Sequence, residues 1–179
     1  MRLLAKGGFA GFTTNAVAET AGVSIGTLYQ YFANKEAILD ALADREMARL
    51  SERVLVVFND PADIPLEDRI RRIIGAVASS YGGQRQVHRL LLEYSLRHGG
   101  GRLAPLVEKL IVLLTEEGGP AGARHMGPLP HAEAFVLTHA FAGVIRSMIL
   151  SQEATLASPA DIEDALTRLI VGFPRRSDD

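Results

Sequence analysis

The chain contains no cysteine and no tryptophan among its 179 residues. Without cysteine there can be no disulfide, no thiolate metal site and no cysteine nucleophile. Aromatic residues make up 6% of the chain, and only four of them are tyrosines. Two of those four, Tyr29 and Tyr31, share one short segment and so need a reason. Charge of one sign is not in excess, since 19 Lys and Arg against 21 Asp and Glu leave a net −2. A small nucleic-acid-binding domain usually shows a basic excess, so overall charge lends no support to such a partner; the field at the contact surface decides that question. Long apolar runs are missing too. The opening MRLLAKGG has too short an apolar run for a secretory signal. The longest apolar stretch, AFVLTHAFAGVIRSMIL, carries His139 and Arg146 and is too short and polar to span a bilayer. A cytoplasmic protein with no membrane partner is expected.

What the chain has is helical periodicity. Apolar residues are 47% of the sequence, and their spacing follows helices nearly throughout, with no alternating strand pattern. Residues 2–6 read as the end of a helix closed by Gly7 and Gly8. Thr14 reads as the N-cap of a short helix that stops at Ala21-Gly22. Ser24 caps the next, through Tyr31, and Asn34 caps a long one that ends near Asn59. Pro65 suits the first residue of a helix striped with Ile70, Ile73, Ile74, Val77 and Tyr81. Helices over 86–97 and 103–117 follow, then a loop, GGPAGARHMGPLP, expected to be mobile. A long helix over 131–151 is apolar on nearly all sides. The last, over 161–173, has Ser158, Pro159 and Asp161 as a start signal. The fold class expected is all-α, about nine helices, with a domain over 1–45 and a helical bundle over 46–179.

Catalytic chemistry finds no foothold. His88 and Glu93, or His131 and His139, lack the spacing of a metal pair on one helical turn. Neither a Gly-x-Ser-x-Gly nor a phosphate loop is present. No catalytic residue, metal or cofactor is expected, and a helical enzyme is the weakest reading.

Two short helices joined by Ala21-Gly22-Val23 match a helix-turn-helix. On a helical wheel of the second, Leu28 and Phe32 share one side, with Ile25 close to them. Gly26, Thr27 and Gln30 lie opposite. Tyr29 and Tyr31, about 200° apart, fall on the two borders. A light face with hydrogen-bonding groups suits entry into the DNA major groove. The border rings can rest on protein while their hydroxyls meet phosphate. Lys35 sits in the first turn of the next helix, where it opposes the helix dipole, so a phosphate partner would explain it.

From Gly8 to Leu39, GFAGFTTNAVAETAGVSIGTLYQYFANKEAIL resembles the DNA-binding domain of TetR-family transcriptional regulators. The matching details are the Gly-Phe turn, TT, VAETAGVS, GTLYQYF and NKEAIL. The resemblance implies phosphate contacts by Thr14, Thr27, Gln30, Tyr31 and Lys35, with Ser24 beside them. It implies that Asn15, Ile25, Gly26 and Tyr29 face base edges, which puts Ile25 where the wheel does not. Family members usually have a longer first helix and a basic arm before it. Here the chain starts inside that helix, so weak DNA affinity is expected of the polypeptide as written.

The remainder resembles the family only in plan, a variable helical domain that binds a ligand and dimerises. The last two helices lie where the family forms a four-helix dimer bundle. A small row on the first (Val136, Ala140, Gly143, Ser147) and a stripe on the second (Ile162, Leu166, Leu169, Phe173) are the expected interface. Candidate ligand-pocket residues are Tyr81, His88, Leu92, Tyr94, Leu110, Phe135, His139 and Met148. The expected function is a ligand-responsive, homodimeric repressor on a palindromic double-stranded DNA operator, released by a small-molecule effector. The alternative is a small-molecule-binding helical dimer with weak or lost DNA binding. In the first reading helix 35–58 is the lever between the domains.

Overall fold

Glycines and hydroxyl caps set the N-terminal helices. The computed structural model describes residues 1–79, 85–98, 101–116, 127–150 and 158–173. Helix α1 spans Arg2–Gly11, but Gly8 inside it has φ 55° and ψ −154°, a backbone that glycine adopts without steric penalty. The break expected at Gly7-Gly8 is therefore real, yet the chain resumes helix to Gly11 instead of stopping. Helix α2 is Thr14–Ala21, and its cap is Thr13 rather than Thr14: the Thr13 hydroxyl accepts from the Ala16 N–H at 3.2 Å. Gly22 closes it in the left-handed conformation, φ 69°. Helix α3 is Ile25–Tyr31, capped by Ser24. Helix α4 is Lys35–Phe58, with the Ala37 N–H bonded to Asn34 Oδ1 at 2.8 Å.

Five more helices follow: α5 (Leu66–Ser79), α6 (Arg85–Arg97), α7 (Ala104–Glu116) after a 3-10 turn at Gly101–Leu103, α8 (His131–Leu150) and α9 (Pro159–Gly172). Among the described residues all regular structure is helical. Pro65 precedes α5 rather than opening it, its carbonyl accepting from the Arg69 N–H. The α9 start matches its sequence signal: Ser158 and Asp161 form a reciprocal capping box, with Pro159 between them. Of the loop expected to be mobile, 118–126 lie outside the described residues. Its far end is tied, because Leu129 is buried and its N–H bonds to the Leu114 carbonyl at 3.0 Å.

The chain forms two compact units, Met1–Arg49 with Tyr81–Arg102, and Leu50–Ser80 with Leu103–Asp179. A contiguous division after residue 45 does not capture the first, because α6 returns to pack on α1. One core joins Leu4, Phe12, Ala18 and Leu28 of the first three helices and their links with Ile38, Leu39 and Ala43 of α4 and with Val87, Leu91 and Tyr94 of α6. Polar contacts fasten the same pieces. The Tyr94 hydroxyl donates to Asp40 Oδ1 at 3.1 Å, and Arg102 bridges Asp40 and Asp44, the latter at 2.6 Å. Burial first, then Asp40, raises the pKa of the Tyr94 hydroxyl, which keeps it a donor.

In the second unit α5 packs on α9 and α7 on α8. Ile70, Ile73, Ile74 and Val77 of α5 are buried, as their stripe requires, with Ile111, Leu114, Leu137, Leu166 and Ile170. Arg69 is 1% exposed. Its guanidinium donates to the carbonyls of Val57 (3.2 Å), Asp60 (2.6 Å) and Ala62, so a cation sits at the carbonyl end of α4, where the helix dipole favours it.

Candidate nucleic-acid interface

Leu28 decides how α3 is held. It is buried in the first unit's core, and that orientation turns the opposite side of a short helix outward. Ser24, Ile25, Gly26, Tyr29, Gln30 and Tyr31 are exposed, and Thr27 is half-buried. Ser24 accepts from the Thr27 N–H at 3.0 Å, and the two hydroxyls lie 2.8 Å apart, so the first turn is braced by the side chains that border the outward face. Ile25 is 38% exposed, which corrects its placement beside the core. The wheel put it there by angle alone, but at the first position of the helix there is no preceding turn to cover it.

The two tyrosines differ. Tyr29 is 50% exposed and its hydroxyl lies 3.4 Å from the Thr14 hydroxyl, which ties α3 to the start of α2. Because Thr13 is the cap, Thr14 is left for that contact. Tyr31 is 78% exposed; its ring does not rest on protein as expected. Asn15 is exposed on α2, and Lys35 is half-buried at the start of α4. Between residues 13 and 37 the charged residues are Glu19, Lys35 and Glu36, so this surface carries little positive field of its own.

Gly26 has the most telling environment. A Cβ built there would meet only the Ser24 hydroxyl oxygen, at 3.8 Å, and Gly26 is not among the positive-φ glycines. Neither backbone conformation nor packing within the chain calls for glycine here. Gly26 is the second residue of α3, and glycine is a weaker helix former than alanine.

Residues 1–42 match the family model of bacterial regulatory proteins, tetR family. That similarity covers α1, α2, α3 and the start of α4. A curated relative, the HTH-type transcriptional repressor KstR of Rhodococcus jostii (strain RHA1), is 38% identical over 77 residues, which are 43% of this chain and 34% of that protein. The chain thus matches about a third of that relative's length. Among solved structures, a tetR-family regulatory protein from Rhodococcus RHA1 has a TM-score of 0.60 at 18% identity, covering 97% of this chain and 90% of that one. The multidrug binding protein EbrR, complexed with imidazole, has 0.60 at 20%, covering 96% and 88%. A protein of unknown function from Rhodococcus sp. RHA1 has 0.62 at 22%, covering 97% and 89%. These structural likenesses show a TetR-like fold.

The second unit holds an apolar cavity of about 70 Å³, several times the ~10–15 Å³ that one water takes. Its walls include Val54, Phe58, Ile73, Leu110, Phe141 and Ile170. Of the eight candidate pocket residues, only Leu110 lines it. Tyr81 lies outside the described residues. His88, Leu92 and Tyr94 belong to the first unit: Tyr94 in its core, Leu92 buried, His88 at 3.3 Å from buried Glu46. Phe135 and His139 stack on each other at 4.0 Å on the exposed side of α8, and Met148 is half-buried. Tyrosine and histidine residues stand out in the sequence, whereas the cavity is built mostly of aliphatic residues, with Phe58 and Phe141, that read as ordinary core.

The residues expected at a dimer interface divide as well. Val136 (52%), Leu169 (51%), Gly143 and Ser147 are exposed, while Ala140, Ile162 and Phe173 are half-buried. Leu166 is buried in its own chain, because α9 turns that side toward α5. Helix α8 is buried on one side only, at Ala134, Leu137 and Thr138; its apolar character all round leaves Phe135 and Val136 outward. Among the described residues no helix is long and apolar enough to cross a membrane, and no group of three His, Asp or Glu side chains could hold a metal ion.

Proposed function

We propose that the protein is a ligand-responsive transcriptional repressor that binds a palindromic operator as a homodimer. The observation that carries this reading is Gly26: a helical glycine on the outward face of α3 that its own chain does not require. A close external approach, such as that of base edges in a major groove, supplies the requirement. Gln30 and Tyr29 beside it offer the polar groups, and Thr14, Ser24, Thr27, Tyr31 and Lys35 border them for phosphate. Repression is favoured by the name of the curated relative. The exposed apolar surface at Phe135, Val136 and Leu169, flanked by Gly143 and Ser147, supports a second copy as partner. The cavity in the second unit supports an effector, whose preference for one of two conformers would couple the sites.

Charge favours the alternative of a ligand-binding dimer with weak DNA affinity, since one lysine faces two glutamates between residues 13 and 37. Selection of operators from random DNA, followed by anisotropy titration of the selected duplex, separates the two. A two-fold symmetric site is expected, bound at least tenfold more weakly by Gly26→Leu and by Gln30→Ala at unchanged helicity. Failure to select any sequence at low salt sinks the repressor reading.

A further inference from the structure

Most polar groups on the outward side of α3 are engaged within the chain. Ser24 and Thr27 hold each other, hydroxyl to hydroxyl at 2.8 Å, and Ser24 also accepts from the Thr27 N–H. The Tyr29 hydroxyl lies 3.4 Å from that of Thr14. The Gln30 side-chain amide is exposed and makes no hydrogen bond to any described residue. Charge is missing as well: IGTLYQY, the whole of α3, contains no lysine, arginine, aspartate or glutamate. Lys35 belongs to the next helix, α4. Helical spacing sorts what is left into two rows. Gly26 and Gln30, four apart, set an open gap beside the free amide. Ile25 and Tyr29, also four apart, form an apolar row next to it, 38% and 50% exposed.

These groups suit one class of base pair. In the major groove, arginine or lysine reads guanine at O6 and N7, and a carboxylate reads the cytosine N4 amino group; α3 has none of the three. An amide side chain pairs with adenine N6 and N7 together, and apolar side chains meet the thymine methyl; α3 has both. We propose that α3 reads A·T base pairs: the Gln30 amide accepts from N6 and donates to N7 of an adenine, and Ile25 packs on the methyl group of a thymine. The inference rests on the repressor reading and adds to it the base composition of the half-site. Gln30 stands five positions after Ile25, about 7.5 Å along the helix axis, and base steps are about 3.4 Å, so the two contacts fall on separate pairs. Gly26 lies between them, where the missing side chain lets the backbone approach the base edges. Gln30 and Ile25 are then the specificity-determining residues, whereas contacts to phosphate fix position and carry no sequence information directly.

The test is operator selection from random duplexes with the full chain, followed by anisotropy titration of the selected site. Each half-site is expected to hold A·T pairs where α3 lies. Selection with Gln30→Arg should replace one adenine by guanine in each half-site and leave the other positions alone. Replacing that adenine by 7-deazaadenine, which lacks N7, should weaken wild-type binding about three- to tenfold. Uracil, which lacks only the methyl group, is placed at one thymine after another; at one of them binding should weaken about threefold, and Ile25→Ser should remove that difference. Circular dichroism checks the helix content of both variants; if either loses it, the two base analogues decide with the wild-type chain alone. Three results overturn the proposal while the repressor reading stands on the selected operator. They are a wild-type preference for G·C at the position that Gln30→Arg alters, a Gln30→Arg selection identical to wild type, or analogue sites bound as tightly as the parent. Selection of no sequence at low salt removes both.

Discussion

Leu91→Ala is the most searching perturbation of the first unit, because it lies about forty residues beyond that unit's first segment. Leu91 is fully buried on α6, in one core with Leu4, Phe12, Leu28 and Leu39. The substitution removes three carbons, at about 0.8 kcal/mol each in lost transfer. A residual cavity adds to this, because Leu4 and Ala43 around it are equally inaccessible and a packed site relaxes only partly; measured Leu→Ala losses of this kind run from about 2.7 to 5.0 kcal/mol. A loss of about 3 kcal/mol is expected. Since every 1.4 kcal/mol is tenfold, hydrogen exchange in peptides spanning α1, α2 and α3 should accelerate about a hundredfold. Mass-spectrometric exchange measures this helix by helix, and peptides of α7 and α8 serve as the reference. For the same reason residues 1–49 alone should lack the exchange protection of the whole chain. Acceleration below fivefold in α1–α3, or a protected 1–49 fragment, would falsify the view that α6 is part of the first unit's core.

Other substitutions probe single contacts. Ser24→Ala removes the α3 cap and should cost about 1 kcal/mol, seen as faster exchange over residues 25–31 and a matching loss of operator affinity; unchanged exchange would mean that the 3.0 Å bond to Thr27 contributes nothing. Arg102→Met loses both carboxylates; because Asp40 and Asp44 are 45% and 62% exposed, no more than about 1 kcal/mol is expected, and the difference from wild type should shrink in 1 M salt in urea titrations. Asp161 has its pKa lowered by hydrogen bonds from the Ser158 hydroxyl and backbone. Its contribution is therefore present above the unfolded value of 3.8 and is lost as pH falls through the lower folded value. Exchange at the start of α9 should accelerate below pH 3.8 in the wild type but stay flat in Asp161→Ala.

The helices were legible because their signals are local. Ser24, Asn34, Gly22 and the Ser158–Asp161 box act within one turn, so the letters around them suffice. Legibility failed wherever two local solutions had equal chemistry. Thr13 and Thr14 are both capable caps, and only the backbone, extended at Thr13 with φ −115°, decides between them. Gly8 carries a helix-ending signal, but helix resumes directly after it, because Phe9 packs against the unit's core. The return of α6 left no local trace. Its stripe of Val87, Leu91 and Tyr94 reads as amphipathic helix whatever covers it, and only tertiary packing assigns it to the first unit rather than to the second.

The two candidate sites were unequally visible for a related reason. A surface shaped for close approach by a partner can break the rules of a stable helix, and Gly26 in an exposed turn does so in the sequence itself. A cavity for an apolar molecule breaks no rule. Its walls obey the same preference for burial as a packed core, so Val54, Ile73 and Ile170 carry no mark of what they enclose, and the polar and aromatic landmarks Phe135 and His139 lie instead on the outside of α8.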